Sequence, residues 1–286
     1  MSKDFLYGVF YVQYAFRDNS GYPMGSTIAP DAVADGTTTH AVLMTNPVAF
    51  TPPAPTFETA IDFGGQKILA QKDLGVSGFG TGTLTLSEFD DSFHTHVTGG
   101  TVDSAQVSGW RSVGLNVNQV TSPSFVLIVS TKAFDTVASA DKWSHWIFPN
   151  CQIKVTPPGA SQSGGVNPTP LEYTIVPNTS IRDASGELFS GMTMTLQDNA
   201  DILIRKQTGN PLGLTTYVEA ATPANTFITG YRPVTATVDD SDKIFTADGL
   251  VIAASSHNVT TGVVVTTSIT QSQKVVSLYE TVYTAI

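Results

Sequence analysis

Only one stretch of this 286-residue chain, "LTLSEFDDSFHTHVTGG" (residues 84–100), can be written as a capped amphipathic helix. Nearly every other patterned segment has the period of two that belongs to strands, so the fold must be built by closing sheets on one another. "RSVGLNVNQ" (111–119) alternates apolar and polar residues, and "SFVLIVSTK" (124–132) is continuously apolar. "HWIFPNCQIKV" (145–155), "LEYTIV" (171–176), "TTGVVVTTSIT" (260–270) and "KVVSLYETVYTAI" (274–286) continue the series. Turn clusters such as "TPPGASQSGGVNPTP" (156–170) separate them. Many short strands with Gly and Pro punctuation predict a mainly β protein of two packed antiparallel sheets, a sandwich or barrel. One α-helix near 87–98 is expected to flank it.

That helix is predicted in detail. Ser87 is placed to be its N-cap, with Asp90 three residues on as a short capping-box partner. Glu88, Asp90 and Asp91 occupy the first turn, where carboxylates complement the dipole. Phe89, Phe93 and Val97 recur every four residues as one apolar stripe, and Gly99-Gly100 ends the run.

Composition agrees with the strand pattern. Hydrophobic residues make up 41% and charged residues only 13%, and the difference goes to Thr, Ser, Val, Gly and Pro, which favour sheets and turns. Fourteen cations stand against 24 acids, a formal net charge of −10, which disfavours gripping phosphates. Cys151 is the single cysteine, so neither an intrachain disulfide nor a thiolate metal cage can form. Residues 5–16, "FLYGVFYVQYAF", are apolar but shorter than the ~20 residues a membrane helix needs. Asp4 interrupts the basic start a secretory leader requires, so a soluble protein made in a cytoplasm is expected.

The same N-terminal segment has large apolar residues on both alternating faces. Phe5, Tyr7, Val9 and Tyr11 lie on one, and Leu6, Phe10, Val12 and Tyr14 on the other. A strand with two apolar faces must be covered on both. Either the strand is central in the fold, or one face meets another subunit, with Phe5, Tyr7, Val9 and Tyr11 as the candidate interface. Residues 18–66 contain no Lys or Arg but carry Asp18, Asp31, Asp35, Glu58 and Asp62. This Gly-, Pro- and Thr-rich block reads as a long loop over 18–57. A half-buried strand follows, with Glu58 and Asp62 on its polar face and Gly64-Gly65 as a hairpin turn. A restart of strands at "TVDDSDKIFTADG" (237–249) suggests a main domain over 1–235 and an additional β segment or arm over 236–286.

No catalytic constellation stands out. His94 and His96 are two apart on a helix and diverge, so they do not share a metal with Asp90 and Asp91. "DDSDKIFTADG" lacks the spacing and terminal glutamate of a calcium loop. "GVSGFGTG" matches neither a dinucleotide nor a phosphate-binding glycine pattern, and "GVSGF" misses the nucleophile elbow by one position. Trp110, Trp143 and Trp146 suit core or interface anchoring. No enzyme activity, cofactor or metal is expected.

The order of features resembles the major tail proteins, or tail tube proteins, of long-tailed bacteriophages. The likeness rests on the early apolar strand followed by "DNSGYPMG", and on "IDFGGQKILAQKDLGVSGFGTGTLTLSEFDDSFHTHVTGGTVD" (61–103). "KWSHWIFPNCQIKVTPPG" (142–159) and "LEYTIVPNTSIRDASGELF" (171–189) extend it, so that it covers residues 1–235. The resemblance implies two packed sheets with the helix fastened to their outside by Phe89, Phe93 and Val97. It also implies hexameric rings that stack into a tube in the virion tail, through which DNA passes without specific binding. Tail terminator, baseplate or tape measure proteins are then the other partners, and no membrane is involved. A negative or neutral wall lets a polyanion slide, so Glu58 and Asp62 are expected to face the lumen, and block 18–66 to connect rings. A virion decoration or adhesion sandwich binding glycan or a cell surface is the alternative; a glycan hydrolase is a third.

Overall fold

The computed structural model describes residues 4–18, 21–27, 33–64, 67–87, 90–98, 101–102, 113–114, 123–155, 171–178, 204–236, 243–246 and 251–286. The first strands are β1 (Asp4–Phe16), β2 (Thr38–His40), β3 (Val42–Met44), β4 (Pro47–Thr51), β5 (Pro55–Gly64), β6 (Lys67–Phe79) and β7 (Gly82–Leu86). Helix α1 (Asp91–Thr98) follows, then β8 (Thr101–Val102), β9 (Val113–Gly114), β10 (Phe125–Asp135), β11 (Ala140–Val155) and β12 (Leu171–Pro177). The remaining strands are β13 (Ile204–Thr208), β14 (Leu212–Val218), β15 (Thr226–Ile228), β16 (Tyr231–Pro233) and β17 (Lys243–Thr246), then β18 (Ala254–His257), β19 (Val263–Thr266) and β20 (Lys274–Ala285). The protein is mainly β, with curled antiparallel sheets and, among the described residues, a single helix.

The main sheet runs β3-β1-β10-β11-β12-β7-β4, with β13 beside β11. Its two edges belong to neighbouring stretches of chain. Val42–Met44 pair with β1, and two residues later Pro47–Thr51 pair with β7. Residues 42–51 thereby clasp both edges and roll the sheet towards a barrel, which removes edges that would otherwise template aggregation. The Phe50 ring reaches Trp146 and Phe148 of β11, at 6.0 and 6.2 Å between centroids. β4 and β11 are not ladder neighbours, so this contact spans the interior. The predicted loop over 18–57 thus contains the strands that close the fold.

Residues opposite one another in an antiparallel ladder share a face. Following the register from β1 to β7 puts Val12, Tyr14, Leu127, Phe148, Cys151, Ile153, Tyr173 and Leu84 inside the curl, all essentially inaccessible. The opposite faces of β1, β10 and β11 carry Ala15, Val126, Ile128 and Ile147, which are buried as well. A second sheet, β16-β20-β14-β2 with β17 beside β20, accounts for that: its Leu212, Leu214, Val276 and Leu278 join the barrel residues in one hydrophobic cluster. Tyr217 and Val275 point the other way, into a smaller cluster with Phe227 and Val264 of the three-stranded sheet β15-β19-β18. β14 is buried on both faces, which is why "LGLTTYV" shows no alternation.

No boundary falls at 235. The ladder between β14 and β20 joins residues on either side of that position. Tyr22 donates its hydroxyl to the carbonyls of Tyr217 (3.0 Å) and Val275 (3.1 Å), tying the N-terminal segment to the same sheet. The 236–286 segment therefore supplies an integral strand of the second sheet, not an appended arm.

Candidate functional site

α1 is shorter than its sequence suggests. Asp90 Oδ1 accepts the backbone N–H of Phe93 at 2.9 Å, so Asp90 is the N-cap. Ser87, assigned that role from sequence, lies three residues too early and donates its hydroxyl to the Asn46 carbonyl at 3.3 Å. A carboxylate three residues before the first buried aromatic accepts that residue's N–H directly, and a more distant serine cannot compete. Phe93 and Val97 are buried as expected, while Phe89 falls outside the described residues. The Phe93 ring lies 5.0 Å from Tyr14 and 4.8 Å from Tyr173. Both tyrosines belong to the inner face of the curl, so the helix packs against the inside of the sheet rather than its outer wall.

The histidines of the helix are structural in their contacts. His94 is buried, and His96 Nδ1 meets the Tyr14 hydroxyl at 2.8 Å. Burial holds His96 below the ordinary imidazole range despite the nearby Asp90. Among the described residues no three of His, Cys, Asp and Glu come together as a metal site. Cys151 is fully buried, and desolvation raises its thiol pKa far above the usual value. No helix among the described residues is long and apolar enough to cross a membrane.

The N-terminal strand departs from simple alternation. Tyr7 pairs with Lys132, Val9 with Thr131 and Tyr11 with Ser130. Each step spends two residues of β1 against one of β10, so bulges sit at Gly8 and Phe10. Gly8 has φ +66°, a conformation that favours glycine, and a Cβ there would meet Phe10 Cε2 at 2.9 Å. The consequence is a changed face. Val9 leaves the side of Tyr7 and Tyr11, and the Phe10 ring joins it, 5.7 Å from Trp143 and beneath Lys132 Nζ at 5.0 Å. Tyr11 stacks on Trp143 at 5.5 Å and meets Tyr283 of β20 at 4.6 Å. Phe5 lies opposite Phe134 in the ladder. The predicted interface set Phe5, Tyr7, Val9 and Tyr11 is therefore split: Tyr7 is 42% exposed, whereas Tyr11 is committed to contacts within the chain. Alternation assigns Phe10 to the opposite face, and Lys132, Phe134 and Val137 were not singled out from the sequence; Gly8 within an apolar run was the available sign of a bulge.

The most isolated element is the hairpin of β5 and β6. The two strands pair from Pro55↔Phe79 to Gly64↔Lys67 and form a two-stranded sheet of their own. At roughly 3.3 Å per residue, a strand of this length extends about 40 Å. Glu58 and Asp62 lie in β5, opposite Gly75 and Ala70. Phe57, at the hairpin's base, is 69% exposed. Trp110 lies outside the described residues; Trp146 is half-buried against Phe50, with the Arg205 guanidinium 5.4 Å from its ring.

No protein-family model, curated protein or solved structure matches this chain.

Proposed function

We propose that this chain is the structural subunit of a bacteriophage tail tube, six copies closing a ring and rings stacking into a conduit for DNA. The observation that carries this reading is the β5–β6 hairpin. A two-stranded ribbon is marginal in water on its own and needs a third strand or a packed surface. Among the described residues it pairs with no other strand, so a neighbouring copy is our candidate for its completion. It lies between the clasp strands and α1 in sequence, within and just beyond the cation-free block. The net charge of −10 per chain suits a channel wall from which a polyanion slides free. Glu58 and Asp62 are our candidates for the lumen. Terminator, baseplate or tape measure proteins would meet the tube at its ends and interior. The reading assigns the chain no catalytic step and no cofactor.

The test is negative-stain microscopy of the purified protein beside a variant in which residues 58–75 are replaced by Asn-Gly. Phe57 and Val76 are ladder partners, so a two-residue turn can join them. Wild type should form six-fold rings and tubes. The shortened chain should keep its circular dichroism and melting temperature but fail to stack. A wild-type protein that stays monomeric at high concentration, or a shortened one that makes normal tubes, overturns the proposal.

A further inference from the structure

Where the second sheet meets the three-stranded sheet, β2, the end of β14 and β15 surround a cavity of about 490 Å³. Its walls are mostly apolar. The Tyr217 and Phe227 rings stack at 5.2 Å between centroids, 20° from parallel, and Ala220, Ala224 and Ile228 continue the lining. Thr38 and Thr226 add two hydroxyl groups. A concave, largely apolar space of this size with a few polar groups has the character of a small-molecule site.

Behind that wall lies a carboxylate without a counter-ion. Glu219 is fully buried, and its Oε1 accepts the Tyr217 hydroxyl at 2.9 Å and the N–H groups of Ala220 and Ala224, both at 3.1 Å. All of these donors belong to residues that line the cavity. Its Oε2 is buried with no hydrogen-bond partner, and among the described residues no Lys, Arg or His pairs with it. Lys274 stands opposite Val218 in the ladder, on the face turned towards the barrel, where Asp18 holds it; Tyr217 takes the other face. The main chain of Glu219 is fixed too, its N–H on the Gln273 carbonyl and its carbonyl on the Ser272 N–H, each at 3.0 Å. Buried carboxylates are ordinarily paired with a cation as well as hydrogen-bonded. Here the pairing charge is missing, and the negative potential falls on the cavity. By donating its hydroxyl to Glu219, Tyr217 also gains electron density in its ring, which strengthens the attraction of a cation to the ring face. We propose that the cavity binds a small organic ammonium ion, its apolar body against Tyr217 and Phe227 and its charge balanced by Glu219.

Benzylammonium, benzyl alcohol and benzoate share one ring and differ in charge, so isothermal titration of the purified full chain with each separates charge from shape. Benzylammonium should bind at least tenfold more tightly than benzyl alcohol, and benzoate should not bind. Glu219→Gln keeps the acceptor of the three donors and removes the charge, so it should weaken benzylammonium at least tenfold and leave benzyl alcohol unchanged. Ala224 is exposed at the rim and its N–H bond survives substitution; Ala224→Leu should therefore abolish binding with the melting temperature unaltered. If Glu219→Gln does not fold, the charge series and Ala224→Leu decide the matter. Benzyl alcohol or benzoate binding as tightly as benzylammonium, no binding of benzylammonium, or binding that survives Ala224→Leu each overturns the proposal. Every one of these outcomes leaves the hairpin proposal standing.

Discussion

His145 and Ser130 share a buried hydrogen bond, Nδ1 to Oγ at 2.9 Å, on the faces of β11 and β10 turned towards the second sheet. The other ring nitrogen, Nε2, lies 2.7 Å from Thr208 Oγ1, and that hydroxyl donates to the Asn210 carbonyl at 2.5 Å. With its proton spent on Asn210, Thr208 accepts from Nε2–H, which leaves Nδ1 as the acceptor of the Ser130 hydroxyl. This is a neutral imidazole, and burial depresses its pKa to about 3. His257, also buried, is lowered to about 4 for the same reason. Folded histidines of this kind cost nothing above pH 6.5, where the unfolded chain is neutral too. Below it the unfolded state takes up protons that the fold refuses, so stability falls as pH drops from 6.5 towards 4, and for His145 towards 3. Each histidine contributes a slope of at most about 1.4 kcal/mol per pH unit, or roughly 2 kcal/mol between pH 7.5 and 5. Asp135, held at about 2 first by its Lys142 hydrogen bond and then by the N–H groups of Val137 and Ala138, loses its contribution only below the ordinary carboxylate value. Urea unfolding at several pH values should therefore show the decline above pH 4. His145→Gln should remove roughly 2 kcal/mol of it between pH 7.5 and 5. His257, His40 and His96, all lowered by desolvation, supply the rest, and an unaltered slope would mean that His145 is protonated in the fold.

The helix cap gives a sharper contrast between neighbouring residues. Asp90→Ala removes the acceptor of the Phe93 N–H and should cost about 1 kcal/mol. Ser87→Ala removes only an exposed bond to Asn46 and should fall within about 0.5 kcal/mol of wild type. Thermal or urea unfolding of the two variants checks the order; equal losses would return the cap to Ser87.

What the sequence disclosed follows from the range of the interactions involved. The Phe93 and Val97 stripe is local, set by spacing along one helix, and it is buried as read. The choice between Ser87 and Asp90 needed the entry geometry of the chain, because either residue type caps well. The strands at Thr38–His40, Val42–Met44 and Pro47–Thr51 are three to five residues long and sit among Thr, Asn and Pro, so no periodicity announces them. They exist because β14, β1 and β7 offer them partners. The pairing of β14 with β20 links residues some sixty apart, a distance at which pattern carries no information, and the supposed boundary at 235 fell between them. The face of β1 was misread at Val9 and Phe10 because period-two counting assumes an unbroken ladder.

Lys274 and Asp18 test how the N-terminal segment is fixed to the second sheet. Their side chains meet at 2.5 Å, with 1% of the Asp18 side chain exposed and 29% of the Lys274 side chain. Asp18 Oδ1 also accepts the Tyr22 N–H at 2.8 Å, and the ammonium lies 5.3 Å from the Tyr22 ring. Lys274→Met strands a desolvated carboxylate and should cost about 3 kcal/mol. Adding Asp18→Asn keeps the bond to Tyr22 while removing the charge, so the double variant should be more stable than Lys274→Met alone. A double-mutant cycle in urea measures this; strict additivity would show that the two groups act independently.

The hairpin offers a measurement that separates the free subunit from the assembly. Among the described residues of one chain, β5 and β6 have only each other's backbone groups as ladder partners, whereas β10 is paired on both sides, by β1 and β11. Opening a two-stranded ribbon breaks one ladder, so its amides should exchange near the low-stability limit of the molecule. Opening β10 requires dismantling the barrel, and its amides should report global unfolding. Hydrogen exchange on the unassembled protein should thus place peptides from 55–79 at least a hundredfold faster than those from 125–135. If a second copy completes the ribbon, assembly should slow the hairpin peptides by a comparable factor and leave β10 almost unchanged. Protection that is already high in the free subunit would mean that the ribbon is stabilised within its own chain, and an assembly that forms without slowing it would place the contact elsewhere.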